Sequence, residues 1–267
     1  MLNVVDVHFT YVTETTAKGK ANATYGVLLN IIEGKIGSVM EHGKENAGKV
    51  RIDSAIGLNE WYDSRTPGEP LVSRKRNEGG FVHVTQELGE EKTRATFNTD
   101  IVITGVTRVE EDPERDQPEK GVIKGCIFDF RGALLPIEFV ALNPRAIDYF
   151  EGLEASPKTP VFTRVQGVQV SKTVVKQVTE ESAFGDAAVK ETRNTQRDFV
   201  VNWAQPEVYE WDSEDTLLAS ELSEKVSARE IYLAELKKRQ DDYQASKGNA
   251  ISNTSSTSAP AKGEYKF

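Results

Sequence analysis

Aromatic rings beside cationic side chains recur along this 267-residue chain. A ring offers a stacking plane for an unpaired base, and a cation offers a partner for a phosphate. Phe162 and Arg164 stand two residues apart in VFTRVQGVQV, on one side of an alternating run whose other side carries Val161, Thr163, Val165 and Gly167. An arginine in the middle of a strand is expected on an exposed face. Arg74, Lys75 and Arg76 form the most basic stretch, with Phe81 downstream and Trp61 upstream. Lys124 shares a face with Phe128 and Phe130 in the run 121–131, which ends on Arg131. Lys172, Lys176, Arg193 and Arg197 border the connection between the last two body strands. Packing competes with ligand binding for every ring in this set, because aromatics are among the residues most often buried. Each cation taken singly also suits a solvated surface.

Patterns that carry catalysis are missing. Three histidines (His8, His42, His83) and one cysteine are scattered without metal-ligand spacing. The chain contains no GxxxxGK[ST] phosphate loop and no GxSxG nucleophile turn. Asp129 and Glu138 would suit a metal-dependent nuclease only with a lysine two residues beyond Glu138, where Val140 stands. Asp53, Glu60 and Asp63 alternate with apolar residues as a solvent face would. The expectation is a binding protein without catalytic residues, metal or cofactor. Cys126 is expected to serve as a small core hydrophobe, and a lone cysteine fits a reducing cytoplasm.

Charge is unevenly distributed. The net charge is −9, yet the signs balance between residues 121 and 205. The excess acid lies in 108–120 and after residue 206. A neutral body with acidic appendages can still carry a local basic groove, and the local field is what a phosphate meets. No run approaches the roughly 20 apolar residues of a membrane helix, and the start MLNVVDVHFT has no basic region or apolar core of a secretion signal.

Strand patterns dominate up to about residue 205. Residues 25–32 read as a short apolar strand. Residues 50–58 alternate, with Val50, Ile52, Ile56 and Leu58 on one side. Residues 71–76 and 81–86 flank Asn77-Glu78-Gly79-Gly80, which reads as a hairpin loop. Further strands are expected at 97–109, 121–131, 134–141, 161–178 and 197–203, with a tight turn at Gly132-Ala133. One body helix is expected from Pro144, capped by Asn143, with Ile147, Phe150 and Leu153 at helical spacing. Ser213 reads as the cap of an amphipathic helix reaching about residue 243, whose stripe holds Leu218, Leu222, Val226, Leu233 and Leu236. The polar segment 246–263 lacks the apolar surface needed to offset ordering entropy and is expected to be disordered.

Five strands with a helix between the third and the fourth is the order of an OB-fold, a small Greek-key barrel. The run KGCIFDFRGALLPIEFVALNPRAIDYFEGL followed by TPVFTRVQGVQVSKTVV resembles the OB-fold of single-stranded-DNA-binding proteins, particularly those encoded by bacteriophages. The matching pattern is a strand ending in FVA, a short helix, then a strand ending in a glycine-bounded turn. The resemblance implies single-stranded DNA as ligand, a role in DNA replication or recombination, and the host cytoplasm as location. It also implies that a polar tail ending in Tyr265 and Phe267 recruits replication or recombination proteins. Such tails end in a run of acids, whereas this one ends in GEYKF, so Glu214, Asp215, Glu221 and Glu224 would have to substitute.

The expected organisation is mainly β: a β-rich extension (1–96), an OB-fold-like barrel (97–205), an amphipathic helix (206–245) and a disordered tail (246–267). Two alternatives stand beside DNA binding. One is a structural or assembly protein of a virion or scaffold, and the other is a single-stranded RNA binder. No membrane partner is expected, and self-association is open.

Overall fold

In a computed structural model the backbone is described for residues 3–112, 117–180 and 188–254, and side chains for these except 172–196 and 247–254. The N-terminal part is a three-stranded sheet with two helices. Strand β1 (Val7–His8) pairs in parallel with β3 (Leu71–Thr85), which pairs antiparallel with β2 (Lys49–Tyr62). Helices α1 (Ala23–Ile32) and α2 (Val39–Asn46) precede the hairpin.

Two expectations fail in this part. The apolar run 25–32 is helix α1, not a strand. A short apolar run is compatible with either period, and here the cap decides, since Asn22 accepts a hydrogen bond from Thr24 N. Residues 77–80 are not a turn, because β3 runs straight through them. Asn77 is buried and donates to Asp6 O and to the Gln169 side chain, at 2.9 and 2.8 Å. Gly79 is needed for close approach, since a Cβ there would meet the Phe9 ring at 2.4 Å. The turn lies instead between β2 and β3, where Asp63 accepts from Arg65 N and Thr66 Oγ1 and Gly68 takes φ +83°.

The barrel strands are β4 (Thr96–Val109), β5 (Lys120–Phe128), β6 (Leu134–Ala141), β7 (Val161–Glu180) and β8 (Ala188–Ala204). They close in the order β4-β5-β6-β8-β7, with β7 pairing back to β4. The third and fifth barrel strands are parallel, joined at Val140–Val200. Helix α3 (Pro144–Gly152) sits between the third and fourth barrel strands. This is the OB-fold arrangement expected from the element order. Helix α3 forms where its caps predict it, with Asn143 accepting from Arg145 N and Pro144 in the first turn. Its Ile147 and Phe150 enter the barrel core beside Ile101, Ile123, Phe139 and Phe199. Phe97, Phe139 and Phe199 stack mutually, with centroids 5.2 to 5.8 Å apart.

The run RVQGVQVS is not a turn either. Strand β7 continues past it, and Gly167 marks a bulge where a Cβ would meet Phe97 at 2.6 Å. Past the end of its pairing with β4, β7 keeps pairing with β8 alone as a two-stranded ribbon from Lys172↔Gln196 to Glu180↔Ala188.

Helix α4 spans Ala219–Thr254, starting later than expected and running into the segment expected to be disordered. Its first turns are held by Asp212 and Glu221, which accept from Ala219 N and Leu218 N. Tyr265 and Phe267 lie outside the described residues. No described helix is long and apolar enough to cross a membrane.

Candidate nucleic-acid interface

The outer side of the barrel does not have the open character expected of it. Val102, Cys126, Leu134 and Phe162 form a second apolar cluster, and Tyr209, Trp211, Leu217 and Leu222 cover it. Phe162 is only 9 % exposed, with the Tyr209 ring centroid 4.8 Å away. The covering segment is fastened along β7 by Gln205 N to Arg164 O and Tyr209 N to Phe162 O, both 2.9 Å.

Arg164 has a structural partner. It faces Asp100 in the β4–β7 ladder and holds that carboxylate with two hydrogen bonds of 2.7 and 2.9 Å. Tyr209 Oη donates to the same carboxylate at 3.2 Å. The expectation that Phe162 and Arg164 lie exposed together is therefore corrected. An apolar outer barrel face has to be covered, and the chain supplies the cover from a segment more than forty residues downstream.

Phe128 is half-buried on the same side, with Lys225 Nζ 5.2 Å from its centroid. Cys126 is buried as expected, and burial pushes its thiol up to about 11.

The basic stretch of β3 divides by position. Lys75 reaches over the barrel, donates to Glu138 O at 2.7 Å and lies 5.8 Å from the Phe199 centroid. Burial, opposed by Asp198 and Glu138, lowers its pKa. Arg76 is tied to Glu78 at 2.5 Å. Both therefore serve the fold rather than a free phosphate. Arg74 differs, because its guanidinium lies 5.2 Å from the half-buried Trp61 ring and pairs with no carboxylate among the described residues. Phe81 is 66 % exposed, opposite Asp53 in the β2–β3 ladder. Lys124 is exposed opposite Glu138. Lys172 keeps its ladder position, but its side chain lies outside the described residues.

The most open ring-and-cation pair lies at the turn between β5 and β6. Asp129 builds this turn by accepting from Arg131 N and Ala133 N at 2.8 Å each, and Gly132 takes φ +77°. The expected Gly132-Ala133 turn is thus present, with Phe130 and Arg131 at its tip. Phe130 is 83 % exposed, and the Arg131 guanidinium lies 5.0 Å from its centroid. Arg131 belongs to the expected set, whereas alternation in the sequence groups Phe130 with Phe128 on one strand face. The signal for Phe130 was its place in FDFRGA, where the turn begins and alternation no longer buries a ring.

These positions form three pairs of a ring with a cation that meets no carboxylate among the described residues: Trp61 with Arg74, Phe130 with Arg131 and Phe128 with Lys225. Among the described residues, no group of three or more His, Cys, Asp or Glu side chains is placed to hold a metal ion. No curated protein and no solved structure matches the chain. The YorF family model matches residues 4–239, from before β1 to within α4. With the match spanning the N-terminal sheet, the whole barrel and the covering segment, the chain belongs to the YorF family.

Proposed function

We propose that this protein binds single-stranded DNA. The observation that carries the proposal is Phe130, a phenyl ring 83 % exposed at the turn between the second and third strands of an OB-fold barrel, with Arg131 lying over it. Ligands of this fold are met on the face of those two strands and on the loops joining the first to the second and the fourth to the fifth, and Phe130 stands at the end of that pair of strands. An exposed ring beside a cation supplies the stacking plane and the phosphate partner that an unpaired strand needs. A second pair, Trp61 with Arg74, offers the same chemistry on the N-terminal sheet. The β7–β8 ribbon extends the connection that grips oligonucleotides in other barrels of this kind. Acidic segments elsewhere account for the negative net charge and leave these cations in place. Recruitment of replication or recombination proteins by the chain beyond residue 254 belongs to the same proposal.

The test is a titration of dye-labelled oligo-dT at low salt with wild type, Phe130→Ala and Arg131→Gln. Loss of one base-stacking ring is worth about 1–3 kcal/mol, so Phe130→Ala should weaken binding roughly 5- to 150-fold. Wild-type binding weaker than roughly 100 μM, the weak end of non-specific association, would remove the proposal. Competition with oligo-U decides between DNA and RNA.

A second reading is an assembly protein. Its support is the exposed apolar side chains of the N-terminal part, Ile32 at 82 %, Met40 at 98 % and Val84 at 59 %. Sedimentation of wild type and of Ile32→Lys with Met40→Lys separates the two, because only self-association through this surface would be lost on substitution.

A further inference from the structure

A groove of about 820 Å3 opens between the β2–β3 sheet, the β5–β6 turn and helix α4. Its floor is apolar, made of Ile56, Gly57 and Leu58 from β2 and Leu134 and Leu135 from β6. Helix α4 supplies the remaining wall with Lys225, Ala228 and Tyr232. Rings stand at its mouth: Tyr11 is 96 % exposed, Phe130 83 % and Tyr232 43 %. The volume falls in the range of about 300–1,000 Å3 that holds small organic ligands.

The charges around the groove do not cancel evenly. Three carboxylates line it, and each is already engaged. Glu60 is bound by Arg229 at 2.5 Å, and Glu78 by Arg76 at 2.5 Å. Asp129 holds its own turn through two backbone amides. Arg131 and Lys225 are left over, with no carboxylate partner among the described residues. Lys225 donates to Gly132 O at 2.8 Å and lies 5.2 Å from the Phe128 centroid. Counting Asp129, whose amide partners leave its charge in place, the four lining cations exceed the three carboxylates by one positive charge.

An apolar floor, aromatic lips and a cationic rim are complementary to an unpaired base with its phosphate outside. Bases locked in a duplex cannot reach such a floor. We infer that this groove takes unpaired bases of the strand, and that α4 is one wall of the binding site rather than an appendage to it. The inference rests on the single-stranded DNA proposal and adds the place and the residues. Helix α4 is fastened for the role along its length by Arg229 to Glu60, Lys237 to Glu69 and Gln240 to the backbone of Tyr62.

The experiment uses the full chain and oligo-dT carrying 5-iodouracil. Photo-crosslinks mapped by mass spectrometry are expected at Tyr11, Phe130 or Tyr232. Ala228→Trp fills the groove from an exposed helical position and should weaken oligo-dT binding roughly tenfold or more. Glu230→Trp, on the same helix but outside the groove, should bind within about twofold of wild type. If wild type binds while its crosslinks fall wholly outside the groove, or a folded Ala228→Trp binds as wild type does, the groove is refuted and the DNA proposal stands. If wild type does not bind, both fall. Should Ala228→Trp fail to fold, the crosslink map alone decides.

Discussion

Replacing Arg229 by alanine tests how α4 is joined to the rest of the molecule. The Arg229 and Glu60 side chains are 12 % and 3 % exposed and meet at 2.5 Å, and Arg229 Nη1 also donates to Leu134 O at 3.3 Å. Truncation leaves the Glu60 carboxylate out of water without its cation, which costs about 3–5 kcal/mol. Domains of ordinary stability have about 5–15 kcal/mol in total, so the loss would be a large fraction. Replacing both partners by neutral residues of similar shape, Glu60→Gln with Arg229→Met, removes the stranded charge and should fall near wild type. Trp61 on β2 and Trp211 on the covering segment report the transition by fluorescence in urea. A single Arg229→Ala variant within about 1 kcal/mol of wild type would mean that Glu60 is hydrated, and the docking of α4 on β2 would be refuted.

Other outcomes follow from the same geometry. Phe162→Ala should destabilise by about 3–5 kcal/mol, as for other buried phenyl rings, while the folded protein keeps its oligo-dT affinity. Arg164→Ala should shift the urea midpoint far less than Phe162→Ala does, because its pair with Asp100 is partly exposed to solvent. Cys126 should resist thiol reagents at pH 8 until the protein is unfolded, since its folded pKa is raised to about 11. The native state then binds the thiol proton more tightly than the unfolded chain between pH 9.0 and about 11, so stability should fall as pH rises through that window.

The barrel was legible because its signals are local. Strand β6 shows alternation ended by Asn-Pro, and α3 carries its own caps, so both appear at their expected positions. Helix α1 was misread because an apolar run without polar alternation fits two periods, and only the Asn22 cap separates them. The glycines of β3 suggested a turn, yet Gly79 makes room for Phe9, a contact with a residue seventy positions away. Phe162 was the most consequential miss. Nothing near it in sequence reveals a cover, and the available hint was distant: Tyr209 and Trp211 stand among acids in EVYEWDSED, where a solvated tail has no use for rings. Phe130 and the wall formed by α4 depend on a turn and on a long-range docking, neither of which hydrophobic periodicity encodes.

Equilibrium binding of oligo-dT at two salt concentrations addresses DNA binding most directly. Among the described residues Arg74, Arg131 and Lys225 are cations without carboxylate partners beside exposed or half-exposed rings, and three phosphates neutralised on a single strand give a slope of about −2 in log K against log salt. The expected result is binding that tightens with that slope as salt is lowered and that a duplex of equal length competes for poorly. Absence of binding at low salt, or equal affinity for the duplex, would contradict it.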